Sequence, residues 1–261
     1  MLKSGTINVN NKRVTLNSFQ LKPGDTVEVR KIEVKPSAGM LPFTVLYEDP
    51  YLIVIDKPAG ISTSSIDGSR NAQEIISEYL KNQSQGKIRS YVVHRLDKEV
   101  SGVVLFAKSM DYMEKIKDNW EKTEKHYYAL VEGTPEKEED TIRSWIAEDR
   151  KQKVKSFQRE MPESKLAITT YRTIRKLDLH TLLDVKTITG RKNQIRVHLS
   201  DMGNPIVGDR KYGASEDFLR RVRLHAYSLS FPHPVSGEIV KVESPMPKRF
   251  LKLKEEDEKY K

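Results

Sequence analysis

The 261-residue chain contains no cysteine. Disulfides, thiol nucleophiles and thiolate metal sites are thereby excluded. No apolar run approaches the roughly 20 residues that a spanning helix needs, and the first ten residues carry no apolar signal core, so the expected location is cytoplasmic. Neither a GxxxxGK[ST] loop nor a GxGxxG occurs, which leaves nucleotide hydrolysis and dinucleotide redox chemistry without support. A Gly-x-Ser-x-Gly hydrolase elbow is also missing. The histidines (His94, His126, His180, His198, His225 and His233) show no HExxH and no paired-ligand spacing, so no metal site is expected.

What the chain has in excess is positive charge. Lys and Arg number 46 against 37 Asp and Glu, a net +9 and a pI near 9.4. Such a balance favours polyanion partners, nucleic acid first. Hydrophobic residues make up 37% and charged residues 32%, enough to bury a core beneath a heavily charged surface.

Residues 1–31 alternate short strand-like pieces with turns at Asn10-Asn11 and Lys22-Pro23-Gly24-Asp25. Residues 32–42, with Pro36, Ser37 and Gly39, read as a linker, and residues 43–261 as the main domain. There, Thr44–Tyr47 and Leu52–Ile55 are expected as strands, Asn71–Asn82 as a helix, and a second helix capped by Ser109 carries Tyr112, Met113, Ile116 and Trp120 on one face. Lys125–Val131, Leu166–Ile174 and Leu179–Ile188 alternate as strands. Between strands, Arg150–Lys155 reads as an exposed basic loop in which phosphate contact competes with simple solvation. Asn193–Gly203 has helix start and stop signals, with Asn193 as the cap, and Pro247–Lys261 is read as a last helix.

The most informative stretch is Tyr91–Ser109, YVVHRLDKEVSGVVLFAKS. Two β-branched runs flank a loop holding His94, Arg95, Asp97, Ser101 and Gly102, and a loop fixed by flanking strands is a good place for a reactive group. Taken without its neighbours, a loop carboxylate such as Asp97 is usually a turn former or helix cap. To stay ionised while buried it needs a cation, which typically lowers a carboxylate pKa by about 1–3 units; Arg95 and Arg196 are the candidates. Tyr127, in mid-strand, is either core packing or a ring on which a base stacks.

These segments, taken in order, resemble the RluA/RluD family of RNA pseudouridine synthases. Asp56-Lys57-Pro58-Ala59-Gly60 is similar to its first motif, His94-Arg95-Leu96-Asp97 with Ser101-Gly102 to its catalytic motif, and Lys125-x-Tyr127-x-Ala129-Leu130-Val131 to its tyrosine strand. Thr189-Gly190-Arg191 with Gln194-Ile195-Arg196-Val197-His198, then residues 203–209 and Leu224-His225-Ala226, continue the pattern to about residue 250. The resemblance implies an α+β fold, a mixed and largely antiparallel sheet with flanking helices and an RNA-binding cleft. It implies an isomerase that converts uridine in ribosomal RNA, or transfer RNA, to pseudouridine, with no cofactor, no membrane and no obligate protein partner. Asp97 would be the catalytic aspartate, Arg196 its ion-pair partner, Tyr127 the stacking ring, and Arg95 the side chain that fills the gap left by the flipped base. Further RNA contacts are expected from His94, Lys57, Arg191, Gln194, Lys151 and Lys153. Residues 1–31 resemble the second half of an alpha-L RNA-binding domain.

Two positions depart from the family pattern: Val100 stands where Thr is usual, and Asn193 where His is usual. An RNA-binding factor without catalysis would explain the charge but not Asp97, Tyr127 and Arg196 together. A glycosidase would need a second carboxylate flanking the bond.

Overall fold

The computed structural model describes residues 7–10, 12–14, 19–29, 41–65, 68–149, 153–215 and 221–252. The chain divides into two compact units, Met1–Met40 and Leu41–Lys261. In the first, β1 (Ile7–Val9) pairs antiparallel with both β2 (Lys12–Val14) and β3 (Val27–Val29). The turn signals act as expected. Asn10 takes φ 50°, its amide donates to Asp25 at 2.7 Å, and Asp25 accepts from the Lys22 N–H at 2.8 Å.

The second unit is built on one sheet. Its strands are β4 (Thr44–Glu48), β5 (Leu52–Lys57), β6 (Tyr91–Val92), β7 (Ser101–Ala107), β8 (Glu124–Glu132), β9 (Glu139–Glu148), β10 (Val154–Phe157), β11 (Lys165–Lys176), β12 (His180–Thr187), β13 (Leu224–Pro232) and β14 (Ile239–Glu243). The order is β10-β9-β11-β12-β8-β13-β7-β5-β4, with β14 on β13 and β6 on β7. Every pairing among the described residues is antiparallel except β7 with β13, which touch at His225↔Ser101 and Ala226↔Gly102. This is the mixed, mainly antiparallel sheet that the family resemblance implied.

Strands β5 (LIVIDK) and β7 (SGVVLFA) are buried on both faces, which is why they read as continuous apolar runs. One face packs Ile53, Ile55, Val104 and Phe106 against Ile75, Ile76 and Leu80 of α1 (Ala72–Gln83), and continues to Ile195 and Leu199 of α3 (Gln194–Asp201). The opposite face packs Leu52, Val54, Val103 and Leu105 against Ile116 of α2 (Met110–Lys117). Asn71 and Ser109 cap α1 and α2, accepting from the N–H of Glu74 and Tyr112, as such residues do three positions ahead. Among the described residues no helix is long and apolar enough to cross a membrane.

Several expectations need correction. Trp120 is not on α2, which ends at Lys117; it opens a separate 3₁₀ turn, Trp120–Lys122. Of the basic stretch 150–155, Val154 and Lys155 belong to β10, while residues 150–152 lie outside the described residues. In the described part of the expected last helix, 247–252, residues 248–251 form a turn and none is helical, and residues 253–261 lie outside. Asn193 does not cap α3: it adopts φ 53° and makes no side-chain cap bond. Asn tolerates that left-handed conformation better than most residues, and its amide is engaged elsewhere.

Candidate active site

The loop between β6 and β7 is fixed from below by a buried lysine. Lys57 is 0% exposed, and its ammonium donates to the carbonyls of Val100 (2.6 Å), Ile61 (2.7 Å), Pro58 (3.1 Å) and Asp97 (3.4 Å). Thr63 closes the other side: its hydroxyl accepts from the Leu96 N–H at 3.1 Å and donates to the Leu96 carbonyl at 3.0 Å. The Gly60 N–H donates to the Lys98 carbonyl at 2.7 Å, and the Val100 N–H to the Asp97 carbonyl at 3.1 Å. The backbone on both sides of Asp97 is therefore held without using its carboxylate.

That carboxylate faces α3. Arg196 Nη1 lies 3.4 Å from Asp97 Oδ2 and 3.3 Å from Glu99 Oε2. The tighter bonds of the same guanidinium go to Asp209, Nε to Oδ2 at 2.6 Å and Nη2 to Oδ1 at 2.9 Å. A fork-to-fork pair of this kind fixes orientation as well as charge, and the Tyr212 ring sits 5.2 Å from the guanidinium carbon. With the Asn193 amide turned so that its nitrogen faces the carboxylate, it donates to Asp97 Oδ2 at 2.6 Å and accepts from the Tyr212 hydroxyl at 2.9 Å. The opposite orientation would set its oxygen against Asp97. The departure from the family pattern at this position therefore reaches the carboxylate directly.

Burial raises the Asp97 carboxyl above the ordinary carboxylate range, Arg196 pulls it back, and Glu99 and Asp209 push it up again. Burial wins. For Arg196, burial alone would loosen its proton, but Asp209 and then Asp97 and Glu99 outweigh that and keep it charged. The Tyr127 hydroxyl is pushed up to about 12, by burial first and with the Asp97 charge contributing, so the ring stays neutral. Lys57 is brought down to about 8 by burial.

Asp97, Arg196 and Tyr127 share one cleft of about 840 Å3 that also receives Arg95, His94 and Arg191. Arg95 is exposed in it. Arg191 donates from Nε to the Leu166 carbonyl at 3.2 Å. The His94 ring lines the wall and its Nε2 accepts from the Leu105 N–H at 3.2 Å, so that edge is not available to RNA.

Two expected RNA contacts do not face the cleft as free groups. Lys57 is wholly enclosed; in LIVIDK it falls in phase with Ile53 and Ile55, a signal legible in the alternation. Gln194 is 3% exposed, and its amide serves Thr189, the Arg191 N–H, the Ile168 carbonyl and Thr169. Lys153 lies outside the cleft walls, 5.5 Å from the Tyr212 ring, and Lys151 lies outside the described residues. Conversely, Asp209 and Tyr212 hold Arg196 without having been singled out. An acidic residue after Val207-Gly208 was visible, but its partner is set by tertiary folding.

Residues 51–201 match the RNA pseudouridylate synthase family. An uncharacterized RNA pseudouridine synthase of Aquifex aeolicus is 32% identical across 96% of this chain and 85% of its own length. The uncharacterized RNA pseudouridine synthase YhcT of Bacillus subtilis is 34% identical across 92% of this chain and 82% of its own. Ribosomal large subunit pseudouridine synthase C of Vibrio cholerae is 31% identical across 94% and 83%. In fold, the chain is similar to human RNA pseudouridylate synthase domain containing 4, with a TM-score of 0.68 over 79% of this chain and 89% of that one at 24% identity. With the family matched over more than half of its length and relatives above 30% identity along nearly all of it, the chain belongs to the RNA pseudouridylate synthase family and is an isomerase acting on RNA.

Proposed function

We propose that the substrate is a uridine of large-subunit ribosomal RNA and that Asp97 is the residue acting on its ribose. The observation that carries this reading is the Asp97 carboxylate, held by its backbone and faced by Arg196, in a cleft that Tyr127 and Arg95 also line. The substrate follows from relatives named for the ribosomal large subunit, with transfer RNA as the alternative. We also propose residues 1–31 as an accessory RNA-binding segment, with 32–42 proposed as its linker; residues 32–40 lie outside the described residues.

A uridine inside a helix is out of reach, so it must be flipped out, at a cost of a few kcal/mol. Arg95 is placed to fill the space it leaves. The bond from N1 to C1′ breaks, the uracil turns over, and C5 bonds to C1′; the C5 proton leaves and N1 gains one, so product and substrate are isomers. Asp97 acts at the sugar, as a nucleophile on C1′ or as a base at C2′. Both routes need the ionised carboxylate, and Arg196 and Asn193 orient it. Tyr127 holds the released uracil beside the sugar, so recapture competes with escape.

Tritium release from RNA labelled at uridine C5 tests the assignment. Asp97→Asn should bind RNA and release none; full release by that variant refutes the role. Mapping pseudouridines in cells lacking the protein tests the substrate. A site should vanish from large-subunit ribosomal RNA, and loss confined to transfer RNA would move the substrate there.

A further inference from the structure

Among the described residues of the catalytic unit two lysines are buried, and only one is accounted for. Lys57 meets four carbonyls. Lys125 is 7% exposed, yet among the described residues its ammonium has neither a hydrogen-bond acceptor nor an ion-pair partner. It sits 5.2 Å from the centre of the Trp120 ring. Trp120 in turn lies 5.4 Å from the His94 ring, with 34° between planes. Lys125, Trp120 and His94 line the cleft of Asp97, and Lys117 at the end of α2 joins them.

An ammonium removed from water with only a ring beside it is not compensated. A cation–π contact contributes about 0.5–2 kcal/mol, well below the cost of withholding hydrogen-bond partners from a buried charge. Burial weakens the hold of Lys125 on its proton. Burial first, and then the Lys125 charge, brings the His94 ring down to about 3, so that ring is neutral and adds no counter-ion. The corner is positive and opens onto the cleft.

Position says which anion fits. Lys125 and Tyr127 project from the same face of β8, and residues two apart on a strand are about 7 Å apart. Lys125 is thus one short step along the cleft from the ring proposed to hold the uracil. We propose that Lys125 forms a phosphate subsite for the RNA backbone immediately beside the flipped uridine, with Lys117 at its mouth and Trp120 and His94 as dry walls. This rests on the RNA substrate reading and adds a residue to it.

The test uses the full chain and in vitro-transcribed large-subunit ribosomal RNA. Lys125→Met keeps an unbranched stem over Trp120 and removes the charge. Affinity should fall about tenfold, as for loss of a charge-assisted bond. The slope of log affinity against log salt should flatten by about 0.7–0.9, one phosphate's worth. In tritium release, kcat/KM should fall to match, carried by KM, and Lys125→Arg should restore the slope. An unchanged slope overturns the proposal, whether affinity holds or falls, because a structural role weakens binding without altering ion release. Should neither Lys125→Met nor Lys125→Gln fold, the charge is structural and the proposal is also overturned. Failure of the wild-type enzyme to form pseudouridine in this RNA instead removes the substrate reading, since the salt slope is read from binding alone.

Discussion

At the residue scale, Asp97 combines an anchored backbone with a carboxylate whose charge is disfavoured by burial. A folded-state carboxyl pKa above the unfolded value means that folding opposes ionisation. The cost is absent below the unfolded pKa and present in full once pH exceeds the folded one. Asp97→Asn should therefore stabilise the protein while abolishing turnover, with a larger gain in Tm at pH 8 than at pH 4. A gain of about 1 kcal/mol corresponds to about 2–4 °C in a melt of a domain this size. A fall in Tm at pH 8 would mean that the Arg196 contact outweighs desolvation. On the role proposed for it, Asp97 also sets the acid limb of kcat/KM: activity should decline as pH drops through its raised pKa, at higher pH than an ordinary carboxylate would give. The role proposed for Asp97 was readable from its loop and its motif. The bidentate grip of Asp209 on Arg196, and the Asn193 amide on Asp97 itself, were not, because each joins side chains that local pattern leaves unconnected. Asn193 in particular offers a strong local reading, the helix cap, which loses to a carboxylate brought in by a loop almost a hundred positions earlier in the chain.

At the scale of elements, the parallel seam between β7 and β13 depends on Gly102. Its φ is +121°, and a Cβ there would sit 2.1 Å from the Ala226 carbonyl oxygen, so the neighbouring backbone itself would have to move. Gly102→Ala should cost about 3 kcal/mol, or about 6–12 °C in Tm, and lower activity because the seam adjoins the Asp97 loop. Gly203→Ala provides the comparison: φ is +85° but nothing lies within 4 Å, so only the left-handed backbone penalty of about 1–2 kcal/mol applies. Equal melts for the two variants would show that β13 yields easily. Gly102 stood out in the sequence only as part of Ser101-Gly102; the strand it must approach lies more than a hundred residues away. Helical spacing identified α1 through its apolar stripe, whereas β7 was found as a continuous apolar run because both of its faces are buried. Helical spacing also ran Trp120 onto α2, since a 3₁₀ turn following a helix keeps nearly the same phase.

For the whole molecule, three rings are kept neutral in the fold. His198, between Ser144 and Thr169 at 2.9 Å each, is brought down to about 4, and His225, bonded to Ser101 at 2.9 Å, also to about 4, burial being the main cause in both. His94 falls to about 3. A depressed histidine pKa means that the unfolded chain takes up the proton first, so stability should fall as pH drops from about 6.5 toward 4. Each ring contributes up to about 1.4 kcal/mol per pH unit in that window. Asp97 and Asp56, both raised by burial, pull the other way. Urea melts at pH 7 and pH 5 should show the loss for wild type and a smaller one for His198→Gln. An unchanged difference would exclude His198 as a source. Finally, Asp97 and Arg196 lie 99 residues apart in the chain. At the usual 5–20 residues per second of synthesis, a growing polypeptide displays its acidic group for roughly 5–20 s before the arginine that orients it has been made. A half-made copy emerging from a ribosome, surrounded by uridines, therefore lacks the Asp97–Arg196 pair proposed to act on them.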